Sequence, residues 1–314
     1  MEPDLVHTSE GMSIVTSLNL DVVPRVLSIA GTDPSGGAGT AADLKSITAA
    51  GGYGMAVVSS LVAQNTHGVR AIHTPPTTFL AAQLQAVSDD VTIDAMKTGM
   101  LGTAEIIETV SAWLDDHPPQ VLVVDPVMVA TSGDRLIDRR AEHAMIQFCT
   151  RATLVTPNID ELAVLTGATP ATNESEAIAQ ASDWAATTGV SVLVKTGHLT
   201  SRRITNTWVG PEGVRTSAYA TRLAVTSTHG TGCSLSAALV TRLGAGDDPA
   251  TALLWVTDWL HEAIQHGEAL NVGTGQGPVD HSYRSRRSLV ETPPTASKNP
   301  SETPSLNLIQ GEVR

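Results

Sequence analysis

Short runs of Val, Leu and Ile alternate along most of the chain with longer alanine-rich stretches. The runs at 26–29, 55–61, 95–98, 121–125, 154–156 and 192–195 have the length and branched content of buried parallel strands. Between them, stretches such as 41–50 and 235–243 read as helices with one apolar face. The alternation predicts an α/β fold in which a doubly wound, mostly parallel central sheet is flanked by helices. Such sheets bind ligands outside the carboxyl ends of their strands, and most of the predicted strands end at a glycine-rich or acidic segment.

Two of those segments carry chemistry. Thr228-His229-Gly230-Thr231-Gly232-Cys233-Ser234 runs directly into the predicted helix at 235–243. Backbone N–H groups in such a turn, with the positive end of a helix dipole behind them, suit a phosphate that carries charge during transfer. Read alone, the segment is equally a helix cap with glycine for the turn. Ala30-Gly31-Thr32-Asp33-Pro34-Ser35-Gly36-Gly37-Ala38-Gly39 repeats the arrangement of strand, loop and helix. It is neither a P-loop nor the dinucleotide fingerprint, because no Gly-Lys-Ser/Thr follows and the glycine spacing differs. Lys195 ends the run at 192–194, so its ammonium is expected at the ligand side of the sheet as a phosphate contact.

Composition narrows the classes. With 314 residues, 41% of them hydrophobic, the chain can bury one large core. A net charge of −13 argues against nucleic acid or an anionic membrane as partner. Cys149 and Cys233 form neither a disulfide framework nor a metal pattern, and no apolar run reaches the roughly 18 residues of a membrane span. Glu2, Asp4 and Glu10 sit where a signal peptide would be basic, so a reduced, cytoplasmic setting is expected. From residue 285 onward Pro, Ser, Thr and Glu dominate, the composition of a segment without fixed structure.

Taken in order, the motifs resemble the hydroxymethylpyrimidine and phosphomethylpyrimidine kinases of thiamine biosynthesis, within the ribokinase-like superfamily. The likeness runs over residues 26–281. It is carried by the 30–39 loop with Ala42-Asp43-Leu44-Lys45, by Leu61-Val62-Ala63-Gln64-Asn65-Thr66, and by Lys97-Thr98-Gly99-Met100-Leu101. Val124-Asp125-Pro126-Val127-Met128, Ser132-Gly133-Asp134, Thr156-Pro157-Asn158 with Glu161, and Val194-Lys195-Thr196-Gly197-His198 continue it, and Gly277-Pro278-Val279-Asp280-His281 closes it.

The resemblance implies a kinase domain at 25–283, with an N-terminal extension at 1–24 and a disordered tail at 284–314. It implies ATP-dependent phosphorylation of 4-amino-5-hydroxymethyl-2-methylpyrimidine to the monophosphate and then the diphosphate. Gly230, Thr231, Gly232 and Cys233 become the catalytic anion hole, with Cys233 beside the substrate hydroxymethyl group. A first-turn thiol is expected to have a lowered pKa. Gly31, Asp43, Gln64, Met100 and Val127 become the pyrimidine pocket: Asp43 and Gln64 meet the polar edge of the ring, and Met100 and Val127 wall it. Lys195 and Thr228 are implied for ATP. Asp125 and Glu161 are implied for Mg2+, the cofactor that accompanies the nucleotide, although Asn158 to Glu161 alone is equally a capping segment. A homodimer is implied as well.

Small departures surround this site. Thr131 stands where many members have Lys, and Ser234 replaces a common Thr. The alternatives are a pyridoxal or pyridoxine kinase and a non-catalytic ligand-binding protein on the same fold. A cysteine hydrolase fits less well, because the spacing of His229 and Cys233 along one loop is not triad geometry.

Overall fold

The computed structural model describes residues 23–128 and 137–291. The strands are β1 (Arg25–Gly31), β2 (Tyr53–Asn65), β3 (Gly68–His73), β4 (Ala95–Thr98), β5 (Val121–Val124), β6 (Leu154–Val155), β7 (Ser191–Lys195), β8 (Arg203–Gly210) and β9 (Gly213–Thr221). They form one sheet in the order β3-β2-β1-β4-β5-β6-β7-β8-β9. Its centre, from β2 through β7, is parallel, while β3, β8 and β9 are antiparallel additions at the two edges. Each of the six predicted strands is present.

Helices cover both faces. α1 (Gly39–Ala49) lies on one face with α7 (Thr231–Gly244) and α8 (Pro249–Gln265), over a core that includes Val26, Val123, Leu193, Leu239 and Trp259. On the other face α2 (Thr77–Ser88), α3 (Ala104–Asp116), α4 (Arg139–Cys149), α5 (Ile159–Thr166) and α6 (Glu174–Thr188) cover Leu27, Ile29, Met96 and Val155. Alternate residues of β1 thus feed opposite cores, as the two-residue period of a strand requires. The doubly wound sheet expected from the alternation is therefore present.

The tail needs a correction. Residues 283–291 form α9 (Tyr283–Glu291), so the segment at 284–314 begins as a helix. Arg284 pairs with Asp258 and Glu262 of α8 and lies over the Trp255 ring, and Arg286 pairs with Asp280. Those partners lie as many as 26 residues away in sequence, so tail composition could not disclose them. Residues 203–221 form the β8/β9 hairpin. Most of the N-terminal extension, the Thr131 and Ser132-Gly133-Asp134 positions and the rest of the tail lie outside the described residues.

Candidate active site

At the carboxyl ends of β1, β4, β5 and β7 lie Gly31, Met100, Asp125 and Lys195, and the loop before α7 closes over them. Two backbone positions make that closure possible. Gly230 has φ +80°, and a Cβ there would collide with the Gly37 carbonyl oxygen. Gly39 has φ +54°, and a Cβ there would collide with the Gly31 carbonyl. Both need the left-handed region that glycine tolerates and the close approach that only glycine allows. The 32–38 loop and the 228–232 loop consequently lie backbone against backbone.

Asp33 organises the first of these loops. One carboxylate oxygen accepts from the Ser35 N–H at 2.9 Å and the Ser35 hydroxyl at 2.6 Å. The other accepts from Ala38 N–H at 2.8 Å, Gly37 N–H at 3.2 Å and His229 Nε2 at 2.8 Å. Burial opposes the charge, but the donors from His229, Ser35 and Ala38 outweigh it and hold the carboxyl well below its ordinary range.

Below the loops lies a buried ion pair. Lys97 Nζ donates to both oxygens of Asp43, at 2.8 and 2.9 Å, and the Ser28 hydroxyl donates to Asp43 at 2.6 Å. Burial works to lower the Lys97 pKa, but the negative charges of Asp43 and Asp125 outweigh it and keep the ammonium charged. Asp43 is fully buried, so it does not present its carboxylate to a ligand edge as expected from the sequence.

The Cys233 thiol follows α7's amino end and accepts from the Gly39 N–H, yet its pKa is raised to about 11. Desolvation is the largest cause; Lys97 and the Gly39 N–H oppose it without prevailing. The lowered pKa expected from the helix dipole is therefore corrected: the site holds a neutral, partly exposed thiol. His229 points to Asp33 rather than to Cys233.

Asp125 accepts from the Thr156 hydroxyl at 2.9 Å and the Ser236 hydroxyl at 3.4 Å, and Lys195 Nζ stands 3.9 Å from it. A Cβ on Gly232 would lie 3.9 Å from both Asp125 Oδ2 and Lys195 Nζ, so the anion loop, a cation and a carboxylate meet around one point. Glu161 is both cap and neighbour. It completes the capping box with Asn158 and accepts from the Met128 N–H at 3.1 Å. Burial first, and then the Asp125 charge, raise its carboxyl to about 7.

Two carboxylates that repel one another beside an anion loop fit a divalent cation with oxygen preference. Among the described residues no cluster of three or more His, Cys, Asp or Glu could hold a metal, so phosphate oxygens and water would complete its shell.

The remaining expected residues converge less tightly. Met100 Cε lies 2.8 Å from the position of a Gly31 Cβ, so the thioether covers the bare backbone there, with Val62 beside it. Val127 is half-buried in the turn after Asp125, its N–H donating to the Asp125 carbonyl at 2.8 Å. Gln64 reaches His229 at 3.1 Å, and the Thr228 hydroxyl accepts from Gln276 at 2.7 Å. Sequence reasoning gave no role to Asp33, His229, Lys97 or His281. Asp33 before Pro34-Ser35-Gly36 is a turn signal that could have marked the first. No local signal marks His281, whose Nε2 lies 2.8 Å from the Ser234 hydroxyl 47 residues away.

A family model described as phosphomethylpyrimidine kinase matches residues 33–280. The chain is 54% identical over 281 residues to a thiamine biosynthesis multifunctional protein of Corynebacterium glutamicum, covering 89% of this chain and 37% of that protein. It thus spans about a third of the length of that relative. The chain is also 41% identical over 260 residues to the hydroxymethylpyrimidine/phosphomethylpyrimidine kinase of Escherichia coli, covering 82% and 97%. Among solved structures, the pyridoxal kinase of Staphylococcus aureus in complex with AMP-PCP and pyridoxal superposes with a TM-score of 0.74 at 30% identity, over 84% of this chain and 96% of that one.

Proposed function

The chain belongs to the phosphomethylpyrimidine kinase family, and from that membership we propose that it phosphorylates 4-amino-5-hydroxymethyl-2-methylpyrimidine with ATP, and then its monophosphate, in thiamine diphosphate biosynthesis. Its ribokinase-like sheet supports the reading. The observation that carries the reading is the meeting of the Gly232 backbone with Asp125 and Lys195. Phosphoryl transfer is mostly positioning and charge neutralisation.

In this reading the Gly230, Thr231 and Gly232 amides, at the positive end of α7, receive the transferring phosphoryl group. Cys233 lines the hole as a neutral S–H beside the substrate hydroxyl, and Lys97 supplies a fixed positive charge behind it. Lys195 neutralises phosphate charge, and Thr228 borders the nucleotide. Gly31, Gln64, Met100 and Val127 shape the pyrimidine pocket. Asp125 and Glu161 would hold Mg2+, which would screen phosphate charge.

The exposed apolar side chains of Tyr53, Leu61, Val69, Ile72 and Phe79, on β2, β3 and α2, support a homodimer formed through that edge. Among the described residues no helix is long and apolar enough to cross a membrane. A cytoplasmic location is part of the proposal.

The second reading is a pyridoxal kinase, favoured by the likeness to the Staphylococcus aureus structure. A coupled ADP-release assay with Mg-ATP decides between them, comparing the hydroxymethylpyrimidine, its monophosphate and pyridoxal. Turnover of both pyrimidines with little of pyridoxal is expected. Preference for pyridoxal supports the second reading, and silence on all three in folded protein that binds ligand supports a non-catalytic role.

A further inference from the structure

His229 sits where three segments meet. Its Nε2 is 2.8 Å from Asp33 Oδ2 and 3.1 Å from the end of the Gln64 side chain. Its N–H donates to the Gly277 carbonyl at 3.1 Å, and its ring occupies space that a side chain on Gly37 would fill. The segment that receives it is tied in turn to the end of β2, where Gln276 N–H donates to the Thr66 carbonyl at 2.9 Å. The ring therefore has a fixed place between the two glycine loops and Gln64.

Hydrogen-bond chemistry then fixes the Gln64 amide. Asp33 accepts from Ser35, Gly37 and Ala38, and those donors favour its ionised, acceptor-only form. The proton at 2.8 Å must sit on His229, since a bare Nε2 would set lone pair against lone pair. A Gln64 NH2 at 3.1 Å from the same nitrogen would set donor against donor. Turning the amide by a half rotation brings Oε1 to His229, where it shares the Nε2–H with Asp33, and removes the donor–donor conflict.

We propose that His229, backed by Asp33, is a positioning residue for substrate selection: it holds Gln64 Oε1 and thereby aims the Gln64 NH2 at a ring nitrogen of the pyrimidine. The inference rests on Gln64 lying in the pyrimidine pocket. A ligand that offers a lone pair there is accepted, and one that offers a hydroxyl or N–H meets a second donor. The orientation is set before substrate arrives, so no ordering cost falls on binding.

The test is steady-state kinetics of the full chain with 4-amino-5-hydroxymethyl-2-methylpyrimidine and Mg-ATP, for the wild type and Gln64→Ala, His229→Phe and His229→Gln. Loss of one oriented hydrogen bond predicts that Gln64→Ala and His229→Phe each raise the pyrimidine KM by about tenfold, with the ATP KM changed by less than about twofold. His229→Gln, whose NH2 can donate to both Asp33 and Gln64, is expected to return the pyrimidine KM to within about threefold of wild type. A Gln64→Ala effect without a His229→Phe effect overturns the proposal and leaves the pocket assignment standing. An equal rise in both KM values for His229→Phe, or no rescue by His229→Gln, overturns it as well. Absence of any Gln64→Ala effect removes the pocket assignment and the proposal with it.

Discussion

Lys97 Nζ reaches both carboxylate oxygens of Asp43, at 2.8 and 2.9 Å, and neither side chain has any exposed surface. The pair is the floor of the site. Removing one partner strands the other charge, which costs about 3–5 kcal/mol. Lys97→Met is expected to lower the thermal midpoint by roughly 10 °C. A double variant, Lys97→Met with Asp43→Leu, is expected to recover most of that loss while remaining slow, because the positive charge behind Cys233 is gone. Calorimetry of both variants checks this, and a double variant no more stable than the single one contradicts it.

Cys233 carries a thiol with a pKa near 11. At pH 7 roughly one molecule in ten thousand is then thiolate. Iodoacetamide labelling of Cys233, followed by mass spectrometry, should be slow at neutral pH and should accelerate through pH 10–11. Cys233→Ala is expected to lower turnover at least tenfold without shifting the melting curve. Wild-type turnover would remove the sulfur from the mechanism.

Gly230 holds φ +80° against the Gly37 carbonyl. Gly230→Ala must move one of the two loops, since the obstructing atom is backbone. The expected cost is about 1–3 kcal/mol of stability and roughly a hundredfold in kcat, because the amides proposed to receive the phosphoryl group lose their aim. Denaturant titration and steady-state assays read the two effects separately.

His281 is buried beside Ser234 and has its pKa lowered to about 4, chiefly by desolvation and then by Lys45. The unfolded chain takes up this proton near pH 6.5 and the native one only near pH 4, so the contribution of His281 to stability is full above pH 6.5 and is lost as pH falls to 4. The shift corresponds to about 3 kcal/mol across that window. His281→Asn should flatten this limb in urea titrations at pH 7.0 and 4.5. An unchanged slope would assign the acid sensitivity elsewhere.

The strands at 26–29, 95–98 and 192–195 were legible because a buried parallel strand has no polar face to hide. The glycine loops were legible because their backbone geometry demands residues that stand out in a sequence. Pairings between distant side chains were not. Asp43 reads as a ligand contact until Lys97 is seen beneath it, and the desolvation that raises Cys233 depends on packing that no local pattern encodes. The helix at 283–291 was hidden for the same reason, since its arginines look solvated until α8 supplies the carboxylates.

The contact between Asp33 and His229 joins residues 196 positions apart, and Ser234 is buttressed by His281 further still along the chain. During synthesis the first glycine loop therefore leaves the ribosome long before the partner that completes it. No shorter nascent fragment contains both glycine loops together with both of these partners, so the paired loops reach their final form only once the domain has closed upon itself.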